Sequence, residues 1–147
     1  MTHLHNIISE QEHTAHATNA GKKMHALLGR IKISSNSATG APELINKIQN
    51  QPDLSELFSD KSQIEVPIAG TVKGRFISRR IDRLLIDHNN KTIKILDYKT
   101  DLNPEVYKQK YIAQLSEYAV LLRTLYPTYK ISTYILWTHN FLLENIA

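Results

Sequence analysis

The sequence predicts an α/β (α+β) fold in which a mixed β-sheet of about four strands is flanked by helices. Two observations predict it. Three segments between residues 63 and 98 are rich in β-branched and apolar residues and are separated by turn signals. Helix-compatible segments precede them, and a long one separates them from a last apolar segment near the C-terminus. The order α-β-β-β-α-β is typical of a sheet that packs against helices.

The residues from about Ser9 to Ile33 are mostly helix-compatible. Apolar residues recur there at spacings of three and four, which predicts an amphipathic helix: Met24, Leu27, Leu28 and Ile31. Two short helices are predicted over Pro42–Ile48 and Pro52–Phe58, because each begins with a proline at an early helical position. We expect one domain over residues 21–147, preceded by a frayed helical segment over residues 1–20.

The second half supplies the sheet and the long helix. Strands are predicted over Gln63–Ile68, Arg75–Asp87, Thr92–Tyr98 and Ile131–Thr138. Turns are predicted at Ala69-Gly70, Lys73-Gly74 and His88-Asn89-Asn90. Asn103 is suited to cap a helix that begins with Pro104 and continues to Leu125 or Tyr126, before Pro127.

Composition excludes several classes of protein. The chain of 147 residues contains no cysteine, which excludes disulfides, a thiol nucleophile, cysteine-ligated zinc and an iron–sulfur cluster. No apolar run approaches the roughly 18 residues of a membrane span, and the N-terminus lacks the features of a secretory signal, so we expect a cytoplasmic protein. The net charge of +4 favours a polyanionic partner.

One predicted hairpin brings two carboxylates together. An antiparallel register that is symmetric about Asn89-Asn90 pairs three sets of residues on one face of the sheet: Ile86 with Ile93, Leu84 with Ile95, and Asp82 with Asp97. Such cross-strand partners lie about 4.5–5.5 Å apart at Cβ. Lys99 projects from the same face, two residues beyond Asp97.

Two opposed carboxylates at the edge of an apolar face repel each other and resist burial. A divalent cation would neutralise them, and with Lys99 nearby the set matches the requirements of phosphoryl transfer. The alternative is a solvated salt-bridge patch. The apolar residues on the same face argue against that alternative, but spacing alone leaves both interpretations open.

Several motifs in this region resemble those of one family. The hairpin reads RRIDRLLID…IKILDYKTD, the following helix contains AQLSEY, and an earlier segment reads GKKMHALLGR. Together they resemble the nuclease domain of the RecB-like PD-(D/E)XK superfamily, with most likeness to the C-terminal nuclease domain of AddA-type helicase–nuclease subunits. The matching motif residues are Ile81-Asp82-Arg83, Asp97-Tyr98-Lys99-Thr100, Gln114 with Tyr118, and His25.

The resemblance implies a restriction-endonuclease-like core and a magnesium- or manganese-dependent deoxyribonuclease with one or two ions, acting on DNA ends or single strands in repair or recombination. It implies metal ligands at His25, Asp82, Asp97 and the backbone carbonyl of Tyr98, with Lys99 orienting or activating the attacking water. DNA contacts are assigned to Gln114, Tyr118, Arg80, Arg83 and Thr100.

Arg80 stands where the family usually has glycine, and the register places it opposite Lys99, where it would reinforce phosphate binding or crowd the metal. The chain has no phosphate-binding loop and is too short for a helicase motor, so no ATP is expected. The expected partners are DNA and separately encoded helicase–nuclease subunits. Two alternatives stay open: a catalytically weak DNA-binding or subunit-docking remnant, and a structural partner that binds no DNA.

Overall fold

The computed structural model describes residues 19–101 and 104–147. The predicted N-terminal segment 1–20 and the helix cap at Asn103 lie outside this range, apart from residues 19 and 20. The helices are α1 over residues 19–29, α2 Pro42–Gln49, α3 Pro52–Leu57 and α4 Pro104–Leu125. The strands are β1 Lys32–Ile33, β2 Ala38–Thr39, β3 Gln63–Val72, β4 Arg75–Asp87, β5 Thr92–Lys99, β6 Lys130–Trp137 and β7 Leu142–Asn145.

The predicted mixed α+β architecture is confirmed in its coarse form. The main sheet has five strands in the order β3-β4-β5-β6-β7, in which β5 and β6 are parallel and the other pairs are antiparallel. The expectation of about four strands missed β7, a short strand that pairs with β6. The two-residue strands β1 and β2 form a separate small hairpin that was also not predicted.

Two apolar clusters cover the two faces of the sheet. On one face, residues of α1, α2 and α3 pack against β5 and β6, as in the contacts of Leu28, Ile48 and Leu57 with Leu96 and Leu136. On the other face, α4 packs against β4, β5 and β6 through a second set: Leu84, Ile93, Ile95, Leu115, Leu122 and Ile135. In the described ranges, no helix is long and apolar enough to cross a membrane.

The predicted register of the β4–β5 hairpin is confirmed. Ile86 pairs with Ile93 and Leu84 with Ile95, and Ile93 and Ile95 are fully buried beneath α4. The ladder ends at the pair Arg83–Leu96, one residue before Asp82 and Asp97. The two carboxylates therefore lie where the strands begin to separate.

Beyond this point β4 continues as a two-stranded arm with β3. The predicted turn at Ala69-Gly70 is wrong, because both residues pair with β4 and the chain reverses at Lys73-Gly74, where both residues have positive φ. Gly70 lies close to α4, since a Cβ there would lie 2.5 Å from Leu121 Cδ2 and the leucine side chain would have to move. The missing side chain thus lets the arm approach the helix.

The arm and the hairpin present different residues to α4. Ile81 and Leu84 are three apart in β4, yet both belong to the cluster beneath α4, which strict alternation along a strand does not allow. Across the β3–β4 pair from Asp82, Glu65 has a φ of 48° and no register pair. The alternation of faces therefore shifts at Asp82, and in the arm the odd-numbered residues of β4 face α4 together with their even-numbered partners in β3.

Candidate active site

Asp82 is held by a backbone group of the neighbouring strand. Its Oδ2 accepts a hydrogen bond of 2.8 Å from the N–H of Tyr98. This contact replaces regular strand pairing at the end of the ladder and keeps the carboxylate close to Asp97. Burial opposes the charge on Asp82, but the hydrogen bonds with His25, Asp97 and the Tyr98 N–H and the charge of His25 together outweigh it and lower the pKa of Asp82.

His25 reaches the same point from α1. Its Nδ1 lies 3.3 Å from Asp82 Oδ1, and its Nε2 lies 3.2 Å from the carbonyl oxygen of Tyr98. The hydrogen bond with Asp82 is the largest influence on the ring and raises the pKa of His25 despite partial burial. His25, Asp82 and the Tyr98 carbonyl thus form one connected group, although 57 residues separate the first two in the chain.

Asp97 and Lys99 form a buried ion pair on the α4 side of the sheet. Lys99 Nζ lies 2.9 Å from Asp97 Oδ2 and 4.3 Å from the centre of the Tyr111 ring. The contact with Asp97 lacks hydrogen-bond geometry, so Asp97 Oδ2 is a buried oxygen without a hydrogen bond in the described part of the chain. Tyr111 is itself held by a short hydrogen bond from its hydroxyl to Asp101 Oδ2.

Burial disfavours the charged forms of both Asp97 and Lys99. Burial, reinforced by the nearby charge of Asp82, raises the pKa of Asp97 to about 7 against the influence of Lys99. Burial also disfavours the ammonium of Lys99, but the Asp97 carboxylate outweighs it and raises the pKa of Lys99. Lys99 is therefore a cation at neutral pH, whereas burial disfavours the charged form of Asp97 there.

A cavity of about 820 Å³ opens beside these groups. Of the predicted site residues, His25, Tyr98, Lys99, Thr100 and Gln114 line it. Asp82 and Asp97 do not line it directly, but each contacts a lining residue. The lining includes five lysines or arginines (Lys22, Arg75, Arg79, Lys99 and Lys110) and three acidic residues (Glu65, Asp101 and Glu117). The basic residues of the wall outnumber the acidic ones, although Arg75 Nη2 is paired with Glu117 Oε1 at 2.6 Å. The excess of positive charge favours an anionic ligand.

Two arginines assigned to DNA contact lie elsewhere. Arg80 is exposed and pairs with Pro67 of β3, and it is Arg79 that lines the cavity. The shift of faces at Asp82 explains this difference, because Arg79 lies on the same side of the arm as Ile81. The expectation that Arg80 faces Lys99 across the site is therefore wrong.

Arg83 is 1% exposed, so in this conformation it cannot contact DNA. Its Nη2 donates to the carbonyls of Leu28 and Ile31 at 2.9 and 3.1 Å, and its Nε donates to the Tyr98 hydroxyl at 3.0 Å. Its Nη1 donates to Ser62 Oγ at 2.7 Å. Arg83 therefore joins the C-terminal end of α1, which carries His25, to the site strands.

Tyr118 was also expected to contact DNA. It is 2% exposed and belongs to the apolar cluster beneath α4. Its hydroxyl lies 3.5 Å from the carbonyl oxygen of Arg80. Burial and the nearby carboxylates raise the pKa of Tyr118. In this structure Tyr118 supports the arm, whereas Gln114, one turn earlier in α4, reaches the cavity.

The donor set agrees in kind with a divalent cation. Two carboxylates and a backbone carbonyl are hard oxygen ligands, and imidazole is compatible with manganese. The buried Asp97 Oδ2 without a hydrogen bond is an atom that a cation would satisfy. Within residues 19–101 and 104–147, however, no three His, Cys, Asp or Glu residues are arranged to hold a metal as they stand. Binding would require the ammonium of Lys99 to move away from Asp97.

Sequence reasoning missed several charged residues of the cavity wall, among them Lys22, Glu65, Arg75, Asp101 and Glu117. Lys22 lies in the segment that resembles the first-helix motif, three residues before His25, so one helical turn would have placed it nearby. Arg75 depends on the position of the arm, which no local pattern in the sequence indicates.

No protein-family model and no curated protein sequence matches the chain significantly. The interpretation of the site therefore depends on its residues and geometry.

Proposed function

We propose that this chain is a metal-dependent deoxyribonuclease with a restriction-endonuclease-like core, related to the RecB-like PD-(D/E)XK nucleases. The observation that carries the proposal is the buried Asp97 carboxylate, which has an oxygen without a hydrogen bond and lies between Asp82 and Lys99 beside a basic cavity. A structural ion pair would be stabilised by complete hydrogen bonding. An incomplete one is typical of a site that binds a further ligand.

The chemistry follows from the groups that face the cavity. A divalent cation bound by Asp82, Asp97, the Tyr98 carbonyl and His25 would supply positive charge to the phosphate and lower the pKa of a water. Lys99, released from Asp97, would donate hydrogen bonds to the attacking water or to a phosphate oxygen. Burial lowers the pKa of Lys99, but the Asp97 carboxylate and the other nearby carboxylates outweigh burial, so Lys99 is protonated at neutral pH while it is paired with Asp97.

Hydrolysis would form a bond between the water oxygen and phosphorus while one phosphoester bond breaks. The products are a phosphomonoester and a free hydroxyl. Gln114 on α4 and the basic residues Lys22, Arg75, Arg79 and Lys110 would hold the DNA strand along the cavity. None of these groups resembles a base-reading element, so we expect cleavage without sequence specificity.

The direct test is cleavage of linear single-stranded and duplex DNA in magnesium, manganese or EDTA. We expect metal-dependent cleavage that falls at least about a hundredfold in Asp97→Ala and in Lys99→Ala. Asp87→Ala is a matched control, because Asp87 is a carboxylate at the far end of the neighbouring strand β4, where its side chain accepts hydrogen bonds from Asn89 and Asn90. It should retain activity.

A second candidate function is DNA binding without catalysis, as in a remnant of a helicase–nuclease complex. One observation favours it: Lys99 and His25 already lie against the two carboxylates, so the site is closed to a cation as it stands. Titration with Mn²⁺ followed by calorimetry separates the two. Binding that is lost in Asp97→Ala supports the nuclease. DNA binding with neither Mn²⁺ binding nor cleavage would contradict it.

A further inference from the structure

The arm formed by β3 and β4 has one covered face and one open face. In the described register, residues 75–81 of β4 pair with β3 alone, because the ladder with β5 begins at Arg83. The side towards α4 is covered, since Val72 and Ile77 pack against Leu121 of the helix. Arg75 and Arg79 lie on this covered side and extend to the cavity wall.

The alternating residues form the opposite face, which we call the outer arm face. It comprises six exposed residues in cross-strand pairs: Pro67 with Arg80, Ala69 with Ser78, and Thr71 with Phe76. Phe76 is 70% exposed, more than any other large apolar side chain that the structure describes. The outer arm face therefore combines an open aromatic ring with a cation, and none of its six residues is acidic.

The chemistry of this face suits a nucleic acid strand better than a protein. An exposed aromatic ring beside an arginine can stack a base and contact a phosphate. Arg79 on the other side and Lys73 at the turn add positive charge to the arm, whereas Arg75 is paired with Glu117 of α4. A stable protein interface uses about 20–30 residues on each side, far more than the six available here.

We propose that the outer arm face binds the second strand of a DNA fork or frayed end, while the first strand enters the cavity past Arg75 and Arg79. The arm would then lie between the two separated strands. This inference rests on the proposed nuclease function and narrows its substrate to junctions between duplex and single-stranded DNA.

The test is DNA binding in EDTA, where no metal-dependent cleavage occurs, measured by fluorescence anisotropy. The probes are a forked duplex and a single strand of the same sequence as its first arm. We expect the wild type to bind the fork more tightly, and Phe76→Ala and Arg80→Glu each to weaken fork binding about tenfold. The affinity for the single strand should fall much less, so the ratio of the two affinities is the decisive quantity.

Two matched controls lie on α4, on the other side of the sheet. Leu125 is 68% exposed and Arg123 is exposed, so Leu125→Ala and Arg123→Glu remove the same types of group without touching the arm. Both should leave the affinity ratio unchanged. The inference would be overturned if Phe76→Ala and Arg80→Glu lowered the affinity for the fork and for the single strand equally. It would also be overturned if the wild type bound both probes with the same affinity.

Two further outcomes are distinguishable. If sedimentation shows a dimer of the wild type that Phe76→Ala abolishes, the outer arm face binds a second copy of the chain and the inference is wrong. If the fork preference depends on Phe76 and Arg80 but no DNA is cleaved in magnesium or manganese, the nuclease proposal fails while the binding surface stands. If DNA is cleaved but the wild type shows no preference for the fork, the nuclease proposal stands and the inference about the outer arm face is wrong.

Discussion

Two buried ionic side chains, Arg83 and Asp97, lie on opposite faces of the same hairpin and differ in how completely they are hydrogen-bonded. Arg83 is 1% exposed, and every nitrogen of its guanidinium donates a hydrogen bond. Its planar group also lies 4.2 Å above the centre of the Phe58 ring. Asp97 is 5% exposed, yet one of its oxygens has no hydrogen bond among the described residues.

The difference separates structural burial from functional burial. A buried charge whose nitrogens all donate hydrogen bonds stabilises the arrangement around it, because each partner would otherwise be unsatisfied. A buried charge with an unsatisfied oxygen raises the free energy of the folded state and is retained where a ligand later satisfies it. The first description fits Arg83 and the second fits Asp97.

The largest expected effect is the loss of Arg83. Arg83→Met should lower the free energy of unfolding by about 3–5 kcal/mol, because the carbonyls of Leu28 and Ile31 and the Tyr98 hydroxyl lose their donor. Arg83→Lys keeps the charge but not the planar guanidinium, and it should lower the free energy of unfolding by about 1–3 kcal/mol. Urea unfolding measures both. A loss below that of the exposed control Arg79→Met would contradict the structural role.

A smaller effect is expected at the Asp97–Lys99 pair. Lys99→Met should cost about 2–3 kcal/mol, since it leaves a buried carboxylate unpaired, although the Lys99 side chain is 20% exposed. The double variant Asp97→Asn/Lys99→Met should recover most of that loss and equal or exceed the wild type, because no buried charge remains. Thermal unfolding in EDTA tests this. Magnesium should then raise the melting temperature of the wild type but not that of the double variant, which lacks the Asp97 carboxylate.

If the double variant were less stable than either single variant, the pair would be structural, and the contrast with Arg83 would disappear.

The smallest effect is expected at a surface ion pair. Lys94 Nζ lies 2.9 Å from Glu56 Oε2, but the Glu56 side chain is 54% exposed. Lys94→Ala should therefore change the free energy of unfolding by about 0.2–1 kcal/mol. High salt should remove this contribution and leave the effect of Arg83→Met nearly intact, because buried groups are screened much less. Equal salt sensitivity in the two variants would contradict the comparison.

The sequence predicted the hairpin because its signals are local. Alternating apolar residues and the Asn89-Asn90 turn determine the register, and the register places Asp82 near Asp97. The short helices α2 and α3 were likewise predicted from their initial prolines.

The role of Arg83 was not predictable in this way. Its acceptors on α1 lie 52 and 55 residues away in the chain, so no local pattern relates them. The side of the arm that faces α4 was also missed, because the alternation shifts at Asp82 opposite the positive φ of Glu65. Gly70 was interpreted as a turn residue, whereas its small size serves the contact with Leu121.

Tyr98 has a consequence for how freely this site can vary. Its N–H bonds to Asp82, its carbonyl accepts from His25, and its hydroxyl accepts from Arg83. The first two contacts are made by the backbone and would persist with almost any side chain at this position. Only the third depends on tyrosine. The Tyr98 side chain therefore supports the site through Arg83, whereas the Tyr98 backbone makes the contacts with Asp82 and His25. Substitutions at position 98 should first change the stability of the chain.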